Sequence, residues 1–286
     1  MGRPPSLTGA RAGHAVPLEQ RRWVRWGVGR TAYDDAVSAS LDIAPDAAGV
    51  RLARVELAAA LRAAALYGFN EGIDNHFSLV VPGRPDAFLL NPYGPHWSEL
   101  RAGDLLTIGL GGDRLAGEGA LDTTAFTIHL GAHRARPDAA CVLHTHMPYA
   151  TALSMTERGL DTRASQNAMY FHGRIARLAY GGLADAEEEG ARIATALADG
   201  ISVILMDNHG VLVVGESVAD AWHQLYFLER ACEVQVLAQS TGSRVLQVPE
   251  EVARHTAAQF RTAGGQPELF AAVRRELDRV NPGYDR

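Results

Sequence analysis

Lysine does not occur in this 286-residue chain, and all 27 of its basic side chains are arginine. Schiff-base catalysis, pyridoxal phosphate attachment and a phosphate loop built on lysine all need that amine, so they are excluded. Carbonyl chemistry here would call on a metal as electrophile instead. Cysteine is nearly as scarce: Cys141 and Cys232 are too few for a disulfide framework and point to a reducing cytoplasm. Apolar runs stay short of the roughly 18 residues that a membrane span requires. The N-terminus carries arginines without the apolar segment of a secretion signal. A net charge of −6 and a pI near 6.0 give no footprint for nucleic acid or an anionic membrane. What is present, 47% hydrophobic and 21% charged residues, suits an ordinary globular protein with a large core.

The chain is organised around CVLHTHMPYATALSM, residues Cys141 to Met155. An apolar run delivers His144 and His146, two positions apart. Side chains at i and i+2 of an extended strand share a face, so both imidazoles reach one point in space. Neutral imidazole is the commonest metal ligand, and two from one rigid strand end make half a site. A third candidate, His209, sits in ISVILMDNHGVLVVG, where a second buried-looking strand meets the turn formers Asn208 and Gly210.

Around these segments helices and strands interleave. Residues 1–50 read as a poorly ordered arm, with a short helix near Leu18 to Trp26 that sets Trp23 and Trp26 on one face. The remainder, 51–286, reads as a single domain. Apolar residues at three- and four-residue steps predict a helix from Val50 to Phe69. Strands are expected at His76 to Val81, Ala87 to Leu90 and Leu105 to Leu110. Thr123 or Thr124 then caps a helix through about Ala135. His129 and His133 lie on one face of that helix and read as packing groups or as support for the site. Ser165 to Tyr180 reads as irregular to strand-like, and Asp185 to Ala198 as an amphipathic helix with an acidic first turn. Strands at Ile201 to Met206 and Val211 to Val214 flank His209. Ser217 caps the longest helix, and two more, near Glu250 to Arg261 and Pro267 to Val280, finish the chain. With few two-residue hairpin signals, the pattern predicts a three-layer α/β/α fold on a mixed sheet.

NHFS, FLLNPYG, RPDAACVLHTHMPYATALS, ILMDNHGVLVVG and LERACEVQVLAQ, in this order over about Val55 to Gly242, resemble the class II aldolase/adducin family. The resemblance implies an α/β/α fold, usually a homotetramer with active sites between subunits, and a divalent metal on His144, His146 and His209. It also implies that Asn75, Gly94, Thr123 and Thr124 hold the anionic end of a small substrate. Two departures stand out. Where the aldolases carry a glutamate that shuttles protons, this chain has Ala125. Where they use a tyrosine as a second acid/base, near Ser165 and Gln166, no tyrosine stands.

Each such group typically contributes 10²–10⁴-fold, so ordinary sugar-phosphate cleavage is not the expected reaction. The leading expectation is a metal-dependent lyase cleaving a carbon–carbon bond, by decarboxylation or aldol chemistry, in a small carbonyl or carboxylate compound. Decarboxylation takes no proton from a substrate hydroxyl and so tolerates Ala125 better. A non-haem Fe(II) oxygenase acting on a keto or hydroxy acid is the second reading, and a non-catalytic adducin-like interaction module the third. Zinc, Fe(II), manganese and cobalt all accept three imidazoles, so the metal stays open.

Overall fold

A computed structural model describes residues 47–182, 187–198 and 200–286. The expected arm, with Trp23 and Trp26, lies outside the described residues apart from its last few positions. In chain order the elements are α1 (Ala47–Tyr67), β1 (His76–Val81), β2 (Arg84–Leu90), β3 (Leu106–Gly109), β4 (Arg114–Ala116), α2 (Thr123–Ala135), β5 (Cys141–Thr145), α3 (Pro148–Ser154), α4 (Gln166–Met169), β6 (Ile175–Leu178), α5 (Glu187–Ala196), β7 (Val203–Met206), β8 (Gly210–Gly215), α6 (Val218–Ser240), α7 (Glu250–Ala263) and α8 (Gln266–Val280). The strands form one mixed eight-stranded sheet in the order β4-β3-β2-β1-β5-β8-β7-β6.

Both faces of the central strands are covered, which is why β5 and β8 are buried along their whole length. Side-chain alternation sorts the core into two sides. Cys141 and Leu143 join a cluster with Leu57, Leu61, Phe171, Trp222 and Leu228. Val142 points the other way, with Ile128, Ile193, Ile204 and Leu212, toward α2 and α5. The α/β/α expectation therefore holds. Among the described residues no helix is long and apolar enough to cross a membrane.

The expected mixed sheet is present, and it is weighted toward antiparallel pairing. Six of its seven strand pairings are antiparallel, and only β6 and β7 run parallel. The overlooked signals are short turns. Pro82-Gly83 joins β1 to β2, with Gly83 at φ 74°, and Asp207-Asn208-His209 joins β7 to β8. Asn208 takes φ 55°, a left-handed conformation that asparagine tolerates better than most side chains. β4 was also unforeseen, because its three residues are all exposed and carry no alternation. Ser165 starts the helical turn α4 by accepting from Ala168 N–H, in a stretch read as irregular to strand-like. The cap of α2 is Asp122 rather than either threonine, since its carboxylate accepts from Thr124 N–H at 2.8 Å and suits the positive end of a helix.

Candidate metal centre

β5, its exit and the β7–β8 turn bring His144, His146 and His209 together. One ligand nitrogen from each lies within 4.8 Å of the others. At tetrahedral angles two bonds of about 2.1 Å span about 3.4 Å, so the widest of these separations must close by up to about 1.4 Å for all three to share one ion. The ring centroids are 4.8 to 5.1 Å apart. His144 Nδ1 lies 3.0 Å from the Val211 carbonyl. A carbonyl only accepts, so Nδ1 carries the proton and Nε2 keeps its lone pair. His146 Nε2 is buried with no hydrogen-bond partner among the described residues. Burial holds all three imidazoles below their ordinary pKa, His209 at about 4, so their lone pairs are free at neutral pH. The neighbouring carboxylates Glu71 and Asp74 oppose that trend at His146. An orphaned buried nitrogen and three neutral rings are what a divalent metal site requires.

Glycine makes this convergence possible at Gly210. A Cβ there would stand 2.5 Å from the Thr145 carbonyl oxygen and 2.8 Å from His146 Cδ2. Only a bare Cα lets β8 approach the end of β5 and set His209 opposite His146.

The four expected substrate-holding residues are not equivalent. Asn75 is buried beside the site: its Oδ1 accepts from Glu71 N–H at 2.6 Å and from His146 N–H at 3.4 Å. Its Nδ2 is buried without a hydrogen-bond partner among the described residues. Thr124 spends both its N–H and its Oγ1 on Asp122 Oδ1, each at 2.8 Å. Thr123 is exposed at the first position of α2, and Gly94 is exposed at φ 115°. Ala125 is 1% exposed and packs with Phe88, Leu90, Leu106 and Phe126, so an apolar wall stands at that position.

Several neighbours escaped the sequence reading. His76, the first residue of β1, pairs with His144 across the sheet and stacks on its ring at 4.7 Å. Behind it lie His129 and His133 of α2, buried as the packing or supporting groups that the sequence suggested, and Ser78 Oγ, which the sequence did not single out, joins them. Tyr180 meets His209 edge-on at 6.3 Å and is half-exposed, so a phenol does stand by the site, although not near Ser165. Asp122 acts electrostatically on His76. His76 stands alone in the sequence as a strand-start histidine, and only the register with β5 reveals its place.

The profile of the class II aldolase and adducin N-terminal domain matches residues 55–236. This chain belongs to the class II aldolase and adducin family. A provisionally named class 2 aldolase protein of Pseudomonas aeruginosa is 37% identical over 238 residues, 81% of this chain and 91% of the relative. The crystal structure of an aldolase II superfamily protein from Pseudomonas syringae superposes with a TM-score of 0.79 at 35% identity, covering 85% of this chain and 98% of that one. Rat alpha-adducin is 36% identical over 191 residues, which are 66% of this chain but only 26% of the adducin. The family thus holds proteins named as aldolases and proteins named as adducins. All three histidines of the centre fall within the matched region of this class II aldolase-like chain.

Proposed function

We propose that the chain is a divalent-metal-dependent lyase that cleaves a carbon–carbon bond, by decarboxylation or aldol chemistry, in a small anionic carbonyl or carboxylate substrate. The observation that carries the reading is the triad itself: three neutral imidazoles with unspent lone pairs converge on one point. His144, His146 and His209 would hold the ion, be it zinc, Fe(II), manganese or cobalt. When bound, the ion would polarise a substrate oxygen as a Lewis acid.

The chain's own residues supply the rest. Val211 fixes the His144 tautomer through its carbonyl. Asn75 offers its free amide N–H to the anionic end of the substrate. Tyr180 presents a phenol on the exposed side, beside His209. At Ala125 no carboxylate stands to take a proton from a substrate hydroxyl, which favours decarboxylation over aldol cleavage. The active assembly is a homo-oligomer, a tetramer by family analogy, and static light scattering showing an active monomer would refute that.

The deciding experiment is metal analysis of anaerobically purified protein, followed by CO2 and O2 assays over aliphatic and aromatic keto acids. CO2 release without oxygen uptake supports the lyase. Oxygen uptake with Fe(II) bound would make the protein an oxygenase. A chain that takes up no metal would be an interaction module, with the histidines as packing.

A further inference from the structure

Outside the triad, the most unusual feature is a line of polar side chains running through an otherwise apolar layer between β1 and α2. His133 Nε2 lies 2.7 Å from Ser78 Oγ, which lies 2.5 Å from His129 Nδ1. His129 Nε2 lies 2.8 Å from His76 Nδ1 and 3.2 Å from the His76 carbonyl oxygen. All three histidines are buried and neutral at physiological pH; burial lowers the pKa of His76 to about 3 and that of His133 to about 4.

The His76 end of this line sets its polarity there. The His76 carbonyl can only accept, so the nitrogen it faces, His129 Nε2, is the protonated one. A neutral His129 then has a bare Nδ1, which accepts from the Ser78 hydroxyl, and Ser78 in turn accepts from His133 Nε2–H. His129 Nε2–H shares its proton with His76 Nδ1, which must therefore be bare. A neutral imidazole with a bare Nδ1 carries its proton on Nε2. The opposite polarity would leave a lone pair facing the carbonyl.

The Nε2 edge of His76 points away from this line. Its ring lies nearly parallel to that of His144, at 25°, and His146, His209 and Asp122 all act on it electrostatically. His76 Nε2 makes no hydrogen bond to a described residue, and the residue as a whole is 3% exposed. We propose that His76 is the substrate-facing hydrogen-bond donor of this centre, presenting a fixed Nε2–H to an anionic oxygen of the bound substrate. Ser78 and His129 are the positioning residues that hold it in that tautomer. The donor role rests on the metal-centre reading above and deepens it. It also assigns His76 against being a fourth ligand, because metal at Nε2 would drive the proton to Nδ1 and set two N–H groups against each other at 2.8 Å. A neutral donor meets an oxyanion without adding charge, as a preorganised dipole.

Two measurements test this on the full chain. Long-range 15N–1H NMR of the metal-free protein reads each imidazole tautomer, with assignments from single His→Gln variants. The expected result is Nε2–H at His76, His129 and His133, and loss of the single His76 tautomer in His129→Phe. Nδ1–H at His76 overturns the proposal. The second uses zinc-loaded protein titrated calorimetrically with oxalate, a small dianion. His76→Phe should bind oxalate at least about tenfold more weakly with zinc stoichiometry unchanged, and His76→Gln should recover part of the loss. Unchanged oxalate affinity in His76→Phe overturns the donor, and loss of zinc shows a ligand instead. A wild-type chain that takes up no zinc overturns the metal reading alone, because the tautomers, read without metal, still support or overturn the fixed donor.

Discussion

Gly210→Ala isolates the contact that draws the two halves of the metal centre together. Gly210 is not among the residues with positive φ, so the substitution tests close approach rather than backbone strain. The new methyl would sit 2.5 Å from the Thr145 carbonyl oxygen and 2.8 Å from His146 Cδ2, against an ordinary contact of about 3.5 Å or more. The first neighbour is backbone in β5 and cannot rotate aside. The strands must separate by several tenths of an ångström, or His146 must swing away from His209. Overpacking of this kind costs about 1–3 kcal/mol, and loss of outer support for a metal ligand typically costs 10–100-fold in affinity. Chelator competition should therefore show zinc bound at least about tenfold more weakly, and urea denaturation of the metal-free protein should show a lower midpoint at unchanged slope. If both values match the wild type, β8 does not set the geometry of the site and the account of Gly210 is wrong.

His209→Ala should leave the fold intact, because the side chain sits in a turn, and should drop zinc well below one equivalent by elemental analysis; full stoichiometric metal would refute the triad. Ala125→Glu should lower turnover of the native substrate by at least about tenfold without removing the metal, since two unit charges about 4 Å apart repel by roughly 4 kcal/mol at an effective dielectric near 20; gain of sugar-phosphate cleavage would show the wrong reaction class. Acid should destabilise the metal-free protein. His76 and His133 titrate at about 3 and about 4 when folded and near 6.5 when unfolded, so the unfolded chain binds more protons between these values. Stability is then full above about pH 6.5 and falls as pH drops toward 4, by up to about 1.4 kcal/mol per pH unit for each group. Urea midpoints that stay flat from pH 7.5 to 5 would contradict this.

The parts of the fold legible in sequence were those with a local signal. Alternation in CVLHT forces His144 to one face with Val142, and the apolar run around Val203 to Val214 marks a strand pair. The layers and the three converging histidines followed from such patterns. The antiparallel bias of the sheet did not, because it depends on two turns, at Pro82-Gly83 and at Asp207 to His209, whose signals are only a few residues long. Nor did His76, because its meaning lies in the pairing of β1 with β5, a contact between positions 76 and 144 that no local pattern encodes. His129 and His133 were readable as one helix face, but their joint partner, Ser78, lies on another strand. Tyr180 follows a short parallel strand and reaches His209 only through the tertiary fold.

Charge around the centre narrows the chemistry further. Three neutral imidazoles leave a bound divalent ion with its full charge, whereas a carboxylate at position 125 would cancel part of it. The groups perturbing the three ligands include Glu71 and Asp74 but no arginine. On the proposed reading, attraction for an anionic substrate would come from the ion itself, helped by neutral donors at Asn75 and His76, because among the described residues no arginine acts on the three ligands. At the N-terminus of α2, where a phosphate would gain from the helix dipole, Asp122 already accepts both donors of Thr124. A carboxylate or enolate oxygen that binds the ion directly suits this arrangement better than a remote phosphate anchored at the helix. Anion binding should then be conditional on metal: oxalate should bind the zinc-loaded chain and leave the metal-free chain untouched. Equal affinity in both forms would mean that the anion site is built from protein alone, and would return Gly94, Thr123 and Thr124, expected to hold the anionic end of the substrate, to the centre of the mechanism.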